Sequence, residues 1–214
     1  MMILKKCASR GLAAALMAGG LALVSLHHAA KAEDLSARQI LDGLKVSKTR
    51  SLTSTTPQRP AMTADDLAFV RRVRGQTRSL SLNERDRMAE IVPKRPKVDL
   101  EINFEYNSAS LTAKAEPQLR DLGKALSDAE LAGSVIMLGG HTDAKGAEDY
   151  NQHLSERRAE TVKRFLVENY RIPAANLVSA GYGKKGLKNA TDPLAAENRR
   201  VEIVNVAERD EAAR

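Results

Sequence analysis

The side chains best suited to chemistry stand close together in the second half of the chain. The motif Gly140-His141-Thr142-Asp143 places a carboxylate in a loop, and the segment that follows carries Asn151, Ser155 and Arg158. A carboxylate accepts hydrogen bonds from an ammonium group, whereas a guanidinium grips a carboxylate through two parallel hydrogen bonds. This pair of opposite charges is therefore suited to a ligand that bears both an ammonium and a carboxylate group.

Arg158 lies on a predicted helix, 149–169, whose inward side changes from polar to apolar along its length. At roughly 100° per residue, one side of this helix collects six residues: Asn151, Ser155, Arg158, Val162, Phe165 and Leu166. The apolar end should cover a sheet. The polar start must meet something other than hydrocarbon, because an inward-facing guanidinium without an acidic partner is strongly destabilising. That partner is either a carboxylate of the protein or one that a ligand brings.

The stretch from about Val98 to Val206 resembles the peptidoglycan-binding domain shared by OmpA, Pal and MotB. Four matches carry the likeness, in the expected order: Phe104 with Asn107-Ser108-Ala109, Gly140-His141-Thr142-Asp143, Asn151 with Leu154-Ser155-Glu156-Arg157-Arg158-Ala159, and Asn198-Arg199-Arg200-Val201-Glu202-Ile203. The resemblance implies a non-catalytic module that holds the cell wall by the diaminopimelate of its stem peptide. In that family the aspartate matching Asp143 receives the ammonium of diaminopimelate, and the arginine matching Arg158 receives its carboxylate.

The sequence and the resemblance together predict a set of ligand-binding residues: Asp143, Arg158, Asn151, Thr142, Asn107 and Ser108. Alone, Asp143 could cap a turn and Arg158 could be a surface arginine, so the prediction depends on finding them together. Turn formation explains Asn107 and Ser108 nearly as well as ligand binding does. Arg157 should point into solvent, and Arg199 looks more structural than ligand-binding.

Catalysis is disfavoured by what the sequence lacks. The only cysteine, Cys7, precedes the mature chain, and neither H-E-x-x-H nor G-x-S-x-G occurs. His141 with Asp143 and Asp149 could suggest a metal site, and Glu105 with Asp143 an acid pair for glycan hydrolysis, but a glycosidase needs a set carboxylate separation. We therefore expect no enzymatic activity, no cofactor and no metal.

Aromatic residues are scarce, with three Phe, four Tyr and no Trp in the chain. Single-stranded nucleic acid is usually bound by stacking on such rings, and flat sugar faces are bound in the same way. We therefore expect no nucleic-acid partner. If the cell wall is the ligand, its charged peptide is a better candidate than its glycan.

The first 32 residues have the pattern of a secretory signal peptide. A basic front extends to Arg10, an apolar stretch covers 11–26, and Ala30-Lys31-Ala32 fits an A-x-A cleavage site. The alternative is an uncleaved signal that anchors the protein in the inner membrane. Because the apolar stretch has 16 residues, short of the roughly 20 that span a bilayer, we expect cleavage and a periplasmic protein.

Residues 33–97 are predicted to form a basic leader, largely irregular and mostly flexible, with short helices. Its net charge is +6, against −3 for residues 98–214. Helix starts are predicted at Ser36, Thr63 and Ser81, the last with a capping box, and 51–57 reads as a polar linker. Such a leader could contact other envelope proteins or an anionic membrane surface. The alternative to wall binding is therefore an envelope scaffold whose main partner is a protein that the leader contacts.

From Val98 onwards, strand and helix patterns alternate. Val98, Leu100, Ile102 and Phe104 recur at every second position, which predicts a half-buried strand. Further elements follow: a helix around 119–126, strands at 135–138, 177–180 and 201–206, the helix 149–169, and a glycine- and lysine-bearing loop at 181–189. We predict an α+β fold of βαβαβ type, with helices packed on one face of a mixed four-stranded sheet. The OmpA-like domain should cover 98–207, followed by a tail at 208–214.

Overall fold

The computed structural model describes residues 34–45 and 62–212 of the chain. The predicted signal peptide with its cleavage site and the predicted linker at 51–57 lie outside the described residues. No helix among those described has both the length and the apolar composition needed to cross a membrane.

A mixed four-stranded sheet forms the centre of the fold. Its strands are β1 (Lys97–Leu100), β2 (Val135–Gly140), β3 (Leu177–Gly181) and β4 (Val201–Ala207), in the spatial order β1-β4-β2-β3. β2 and β3 run parallel, whereas β4 pairs antiparallel with both of its neighbours. The predicted α+β fold with a mixed four-stranded sheet is confirmed.

The first three α-helices begin where the capping signals of the sequence place them. The described helices are α1 (Ala37–Leu44), α2 (Ala64–Val73), α3 (Leu82–Ile91), α4 (Glu116–Leu126), α5 (Glu148–Tyr170) and α6 (Arg209–Ala212). Ser36, Thr63 and Ser81 are the N-caps of the first three helices. The backbone N–H of Ser81 donates to the carboxylate of Glu84 at 2.8 Å, which is half of the predicted capping box. Pro117 lies in the first turn of α4, where its missing N–H costs nothing.

One face of the sheet is covered by α1, α4 and α5. Ile136 and Leu138 of β2 point to this side and pack in one core cluster with Leu122 of α4 and with Val162 and Leu166 of α5. The prediction that the apolar end of α5 covers the sheet is confirmed.

The other face is covered by α2 and α3, which belong to the predicted leader. The two long helices of the predicted domain, α4 and α5, lie on one face as expected. Val135 and Met137 of β2 pack there with Phe69 of α2 and with Met88 and Ile91 of α3. Every residue of β2 and of β4 is buried, and a strand buried on both sides needs a cover on both sides. Within the described part of the leader, residues 62–96 are therefore a packed layer of the fold rather than an irregular tether.

The first strand is shorter than predicted, and the predicted tail contacts the leader. β1 stops at Leu100, and beyond it Ile102 is buried whereas Phe104 forms only an isolated bridge with Leu111. In the predicted tail, the carboxylate of Glu211 lies 2.9 Å from the guanidinium of Arg95. This ion pair joins the tail to the end of the leader.

Candidate functional site

The position of α5 is set by its close contact with the end of β2. A Cβ atom built on Gly140 would lie 2.2 Å from the backbone oxygen of Ser155, so only glycine permits this approach. The hydroxyl of Ser155 donates to the oxygen of Gln152 and accepts from the backbone N–H of Gly183. The polar start of α5 thus meets backbone groups rather than hydrocarbon, and the contact fixes the first turns of α5 beside the loop that follows β2.

Asp143 lies in that loop, three residues after the end of β2. One carboxylate oxygen accepts from the backbone N–H of Lys145 at 3.1 Å, and the other lies 2.9 Å from a guanidinium nitrogen of Arg199. The Asp143 side chain is 16% exposed and that of Arg199 is 46% exposed. Asp143 is therefore accessible and orientated, and its ion pair is open to solvent on the arginine side.

Arg158 reaches the same region from α5, one turn beyond Ser155. Its Nε donates to the backbone oxygen of Ser108 at 3.0 Å, and its guanidinium carbon lies 4.9 Å from the centre of the Phe104 ring. Within the described residues, no carboxylate oxygen comes within 4 Å of it, and its one hydrogen bond there is the bond from Nε. Burial, and then the positive charge of Arg199, lower the pKa of Arg158. Its environment therefore favours the arrival of an anion.

A cavity of about 640 Å³ lies between Asp143 and Arg158. The two side chains line it without pairing with each other. Lys145 and Arg199 add positive charges to its wall, and Glu105 adds a second carboxylate. The wall thus carries three cations and two anions. This balance suits a ligand that has an ammonium group and at least one carboxylate, with a net charge that is neutral or negative.

The other predicted site residues lie at or beside the cavity, and several of them make hydrogen bonds within the protein. Asn151 and Thr142 line the cavity, but the amide of Asn151 donates to the oxygen of Lys145 at 2.8 Å and the hydroxyl of Thr142 donates to the oxygen of Asp143 at 3.0 Å. Both side chains therefore hold the loop. Asn107 also lines the cavity, with φ of 56°, whereas Ser108 contributes the backbone oxygen that orients Arg158.

Nine of the fourteen residues of the cavity wall were not predicted as ligand-binding. Arg199 was interpreted as structural, yet it lies against Asp143. Tyr106, Tyr150 and Leu194 also line the cavity. Tyr150 stands beside Asn151 on α5, which could have signalled its position. No local pattern marks Tyr106 or Leu194, because their role depends on which loops the fold brings together.

His141 belongs to a different environment from its neighbours in the motif. It is buried, stacks on the ring of Tyr182 at 5.3 Å, and has its Nε2 atom 3.8 Å from a carboxylate oxygen of Glu202. Burial raises the pKa of Glu202, but the stronger combined effect of His141 and of Lys97, whose ammonium is 2.6 Å away, lowers it to about 2. In the described part of the chain no group of three or more His, Cys, Asp or Glu residues is arranged to hold a metal ion.

The comparisons with known proteins concern the part of the chain that lines the cavity. The model of the OmpA family matches residues 103–200. Over 101 residues, the chain is 39% identical to the peptidoglycan-associated lipoprotein of Pseudomonas aeruginosa, a match that covers 47% of this chain and 58% of the lipoprotein. Over 123 residues it is 32% identical to outer membrane porin F of the same organism, covering 56% of this chain and 33% of the porin.

Among solved structures, the peptidoglycan-associated lipoprotein of Burkholderia pseudomallei matches with 25% identity and a TM-score of 0.41, over 50% of this chain and 86% of that one. With respect to the two sequence relatives, the chain spans a third of the length of the porin and about three fifths of that of the lipoprotein of Pseudomonas aeruginosa.

Proposed function

Because residues 103–200 form a domain of the OmpA family, we propose that the protein binds peptidoglycan non-covalently in the cell envelope, through the diaminopimelate of the stem peptide. The observation that carries the proposal is the half-buried Arg158 guanidinium, which faces the cavity without a carboxylate partner among the described residues and lies opposite Asp143. The names of the relatives agree with it, since one is peptidoglycan-associated and the other is an outer-membrane protein.

On the arginine side, the geometry favours a carboxylate ligand. Ser108 occupies Nε of Arg158 and Phe104 occupies one face of the guanidinium, so the side chain is held in one orientation before a ligand arrives. The two terminal nitrogens form the planar fork that engages both oxygens of a carboxylate, which a lysine cannot reproduce. A bound carboxylate would also offset the repulsion between Arg158 and Arg199.

On the aspartate side, the ligand's ammonium would replace Arg199. The Arg199 side chain is 46% exposed, and an ion pair open to solvent typically contributes about 0–1 kcal/mol. Exchanging Arg199 for another cation therefore costs little. The oxygen of Asp143 held by Lys145 keeps the carboxylate in place during the exchange. An acceptor-only group at this position rejects a second carboxylate and selects an amine.

The expected affinity of a single site is modest. Charged hydrogen bonds contribute about 1.5–3 kcal/mol each, and desolvation and lost freedom cancel part of that gain. Micromolar to millimolar dissociation constants follow, corresponding to roughly −8 to −4 kcal/mol. Retention in the envelope would come from the high local density of stem peptides in the wall.

The test is co-sedimentation of the full chain with purified diaminopimelate-type peptidoglycan. Arg158→Lys keeps the charge and removes the fork, so binding should weaken by at least about tenfold. Arg157→Ala is the matched control, because Arg157 is the adjacent helical residue and lies outside the cavity. Free diaminopimelate should compete, and circular dichroism should show that both variants keep the fold.

A second type of peptidoglycan distinguishes recognition of diaminopimelate from peptidoglycan binding in general. Lysine-type peptidoglycan has the amine of the side chain but lacks its carboxylate. We expect the wild-type chain to bind it more weakly than the diaminopimelate type, and Arg158→Lys to narrow that difference. Equal binding of both walls would contradict recognition of diaminopimelate while leaving wall binding intact. Failure of the folded wild type to bind either wall would contradict the proposed function.

The scaffold alternative, in which the leader captures a protein partner, has less support. The apolar sides of α2 and α3 face the sheet, where Phe69, Met88 and Ile91 are buried. A partner could therefore contact these helices only through their outer surface, where Arg71, Arg72 and Leu82 are exposed.

A further inference from the structure

The cavity has an apolar rim that recognition of an amino-acid headgroup does not require. Four large hydrophobic side chains are exposed among the described residues: Leu82 54%, Tyr106 89%, Tyr150 39% and Leu194 58%. Three of them, Tyr106, Tyr150 and Leu194, line the cavity that holds Asp143 and Arg158. Exposed apolar groups gathered beside one concave site mark a binding surface, whereas scattered ones need no explanation.

The size of the cavity also exceeds what a headgroup needs. A volume of about 640 Å³ falls in the range of roughly 300–1,000 Å³ that accommodates whole drug-sized molecules. The charged groups that would hold an ammonium and a carboxylate occupy only part of the lining. The remaining wall offers aromatic and aliphatic surface to a second part of the same ligand.

The ring of Tyr150 is held in place before any ligand arrives. Its hydroxyl donates to the side-chain oxygen of Asn107 at 2.6 Å and lies 3.3 Å from the backbone oxygen of the same residue. Asn107 has φ of 56°, a backbone conformation that few residues other than glycine adopt, and it directly follows Tyr106. A fixed aromatic ring loses little conformational freedom on binding, so this arrangement suits a platform.

We propose that Tyr106 and Tyr150, with Leu194, bind a pyranose ring of the glycan that carries the stem peptide. This inference rests on the proposed function and extends it from the peptide to the sugar. A pyranose has one face of C–H bonds and a periphery of hydroxyls, which matches an aromatic ring with a polar edge. The composition of the chain argued against sugar binding, but the fold places three of its seven aromatic residues, including Phe104, around one cavity.

The test compares two soluble ligands, the disaccharide-tetrapeptide and the sugar-free tetrapeptide, binding to the full chain in isothermal titration calorimetry. Tyr106→Ala should weaken binding of the disaccharide-tetrapeptide by roughly three- to tenfold, the scale of one aromatic contact, and leave binding of the tetrapeptide unchanged. Tyr106→Phe should retain the wild-type affinity for both. Leu82→Ala is the matched control, because Leu82 is the fourth exposed hydrophobic residue and lies outside the cavity.

Three outcomes would overturn the inference. If Tyr106→Ala weakens both ligands equally, Tyr106 contacts the peptide rather than the sugar. If it weakens neither, the rim belongs to a different partner, such as another envelope protein. If the wild type binds the two ligands with equal affinity, the sugar makes no contact. Each of these leaves the proposed function standing, whereas absence of binding to both ligands would contradict the proposed function itself.

Discussion

Gly140 provides the sharpest test of how the site is assembled. In Gly140→Ala, the new Cβ atom would lie 2.2 Å from the backbone oxygen of Ser155 and 3.0 Å from its carbonyl carbon, whereas ordinary contact begins near 3.4 Å. β2 and α5 must therefore separate by about 1 Å, and both contacting groups are backbone, so no side chain can rotate away. Ser155 lies one turn before Arg158, so the same shift moves the guanidinium relative to Asp143.

We expect this substitution to lower the free energy of unfolding by about 3 kcal/mol, at the upper end of the usual cost of overpacking, roughly 1–3 kcal/mol. Wall binding should fall even under conditions where the variant stays folded. Gly139→Ala is the matched control on the same strand. Its Cβ would meet the side-chain atoms Cε2 of Tyr182 at 3.2 Å and Sδ of Met137 at 3.4 Å, which can yield by a few tenths of an ångström.

Urea denaturation followed by far-ultraviolet circular dichroism measures the two stabilities, and co-sedimentation with peptidoglycan measures binding. The expected order is wild type, then Gly139→Ala, then Gly140→Ala, with the last separated clearly from the other two. If Gly140→Ala matches Gly139→Ala in both assays, the contact between Gly140 and Ser155 does not hold α5 in place, and the account of how Arg158 is positioned is refuted.

Two further predictions concern the layers beyond the cavity. Met88→Ala should lower the free energy of unfolding by about 2–5 kcal/mol, because Met88 is fully buried between α3 and the sheet. Urea denaturation measures this loss and that of Leu82→Ala, a substitution at an exposed residue of the same helix. Equal losses in the two variants would contradict the packing of α3 against the sheet. The pKa of Glu202, held at about 2 by His141 and Lys97, lies below the unfolded value of roughly 4.3. The ionised Glu202 should therefore contribute about 3 kcal/mol to the free energy of unfolding. This contribution should be complete above pH 4.3 and lost as the pH falls towards 2. In Glu202→Gln, the free energy of unfolding should depend less steeply on pH between about 4.3 and 2 than in the wild type. An unchanged slope would contradict the stabilising role of the Glu202 carboxylate.

The packing of the leader against the sheet also determines which variants can test the function. Deleting residues 33–97 would remove a partner-binding tail if that segment were a tether. In the structure, the same deletion removes β1's first residue and the cover over one face of the sheet, including Phe69 and Met88. Loss of binding in such a truncated chain would report exposure of the core. Point substitutions on the outer surface of α2 and α3 are therefore the informative variants.

Features that depend on neighbours in the chain were readable from the sequence. The N-caps Ser36, Thr63 and Ser81 depend on hydrogen bonds over three residues, and the period of Val98 and Leu100 follows from the pleat of a strand. The polar start of α5 required a polar environment, which the structure supplies around Ser155. These elements need only local geometry, and they were predicted to within a few residues.

Relations between distant residues were decided by the tertiary structure. Asp143 and Arg199 are 56 residues apart, so no local pattern could show that they pair while Arg158 stays without a carboxylate nearby. The same holds for the meeting of Tyr150 with Asn107, 43 residues away. The sequence by itself determined which residue types would supply charge and where helices and strands would begin. Only the tertiary structure determined which of those charges face one another. An ion pair forms only when two groups lie within a few ångströms, and the packing of helices against the sheet sets that separation.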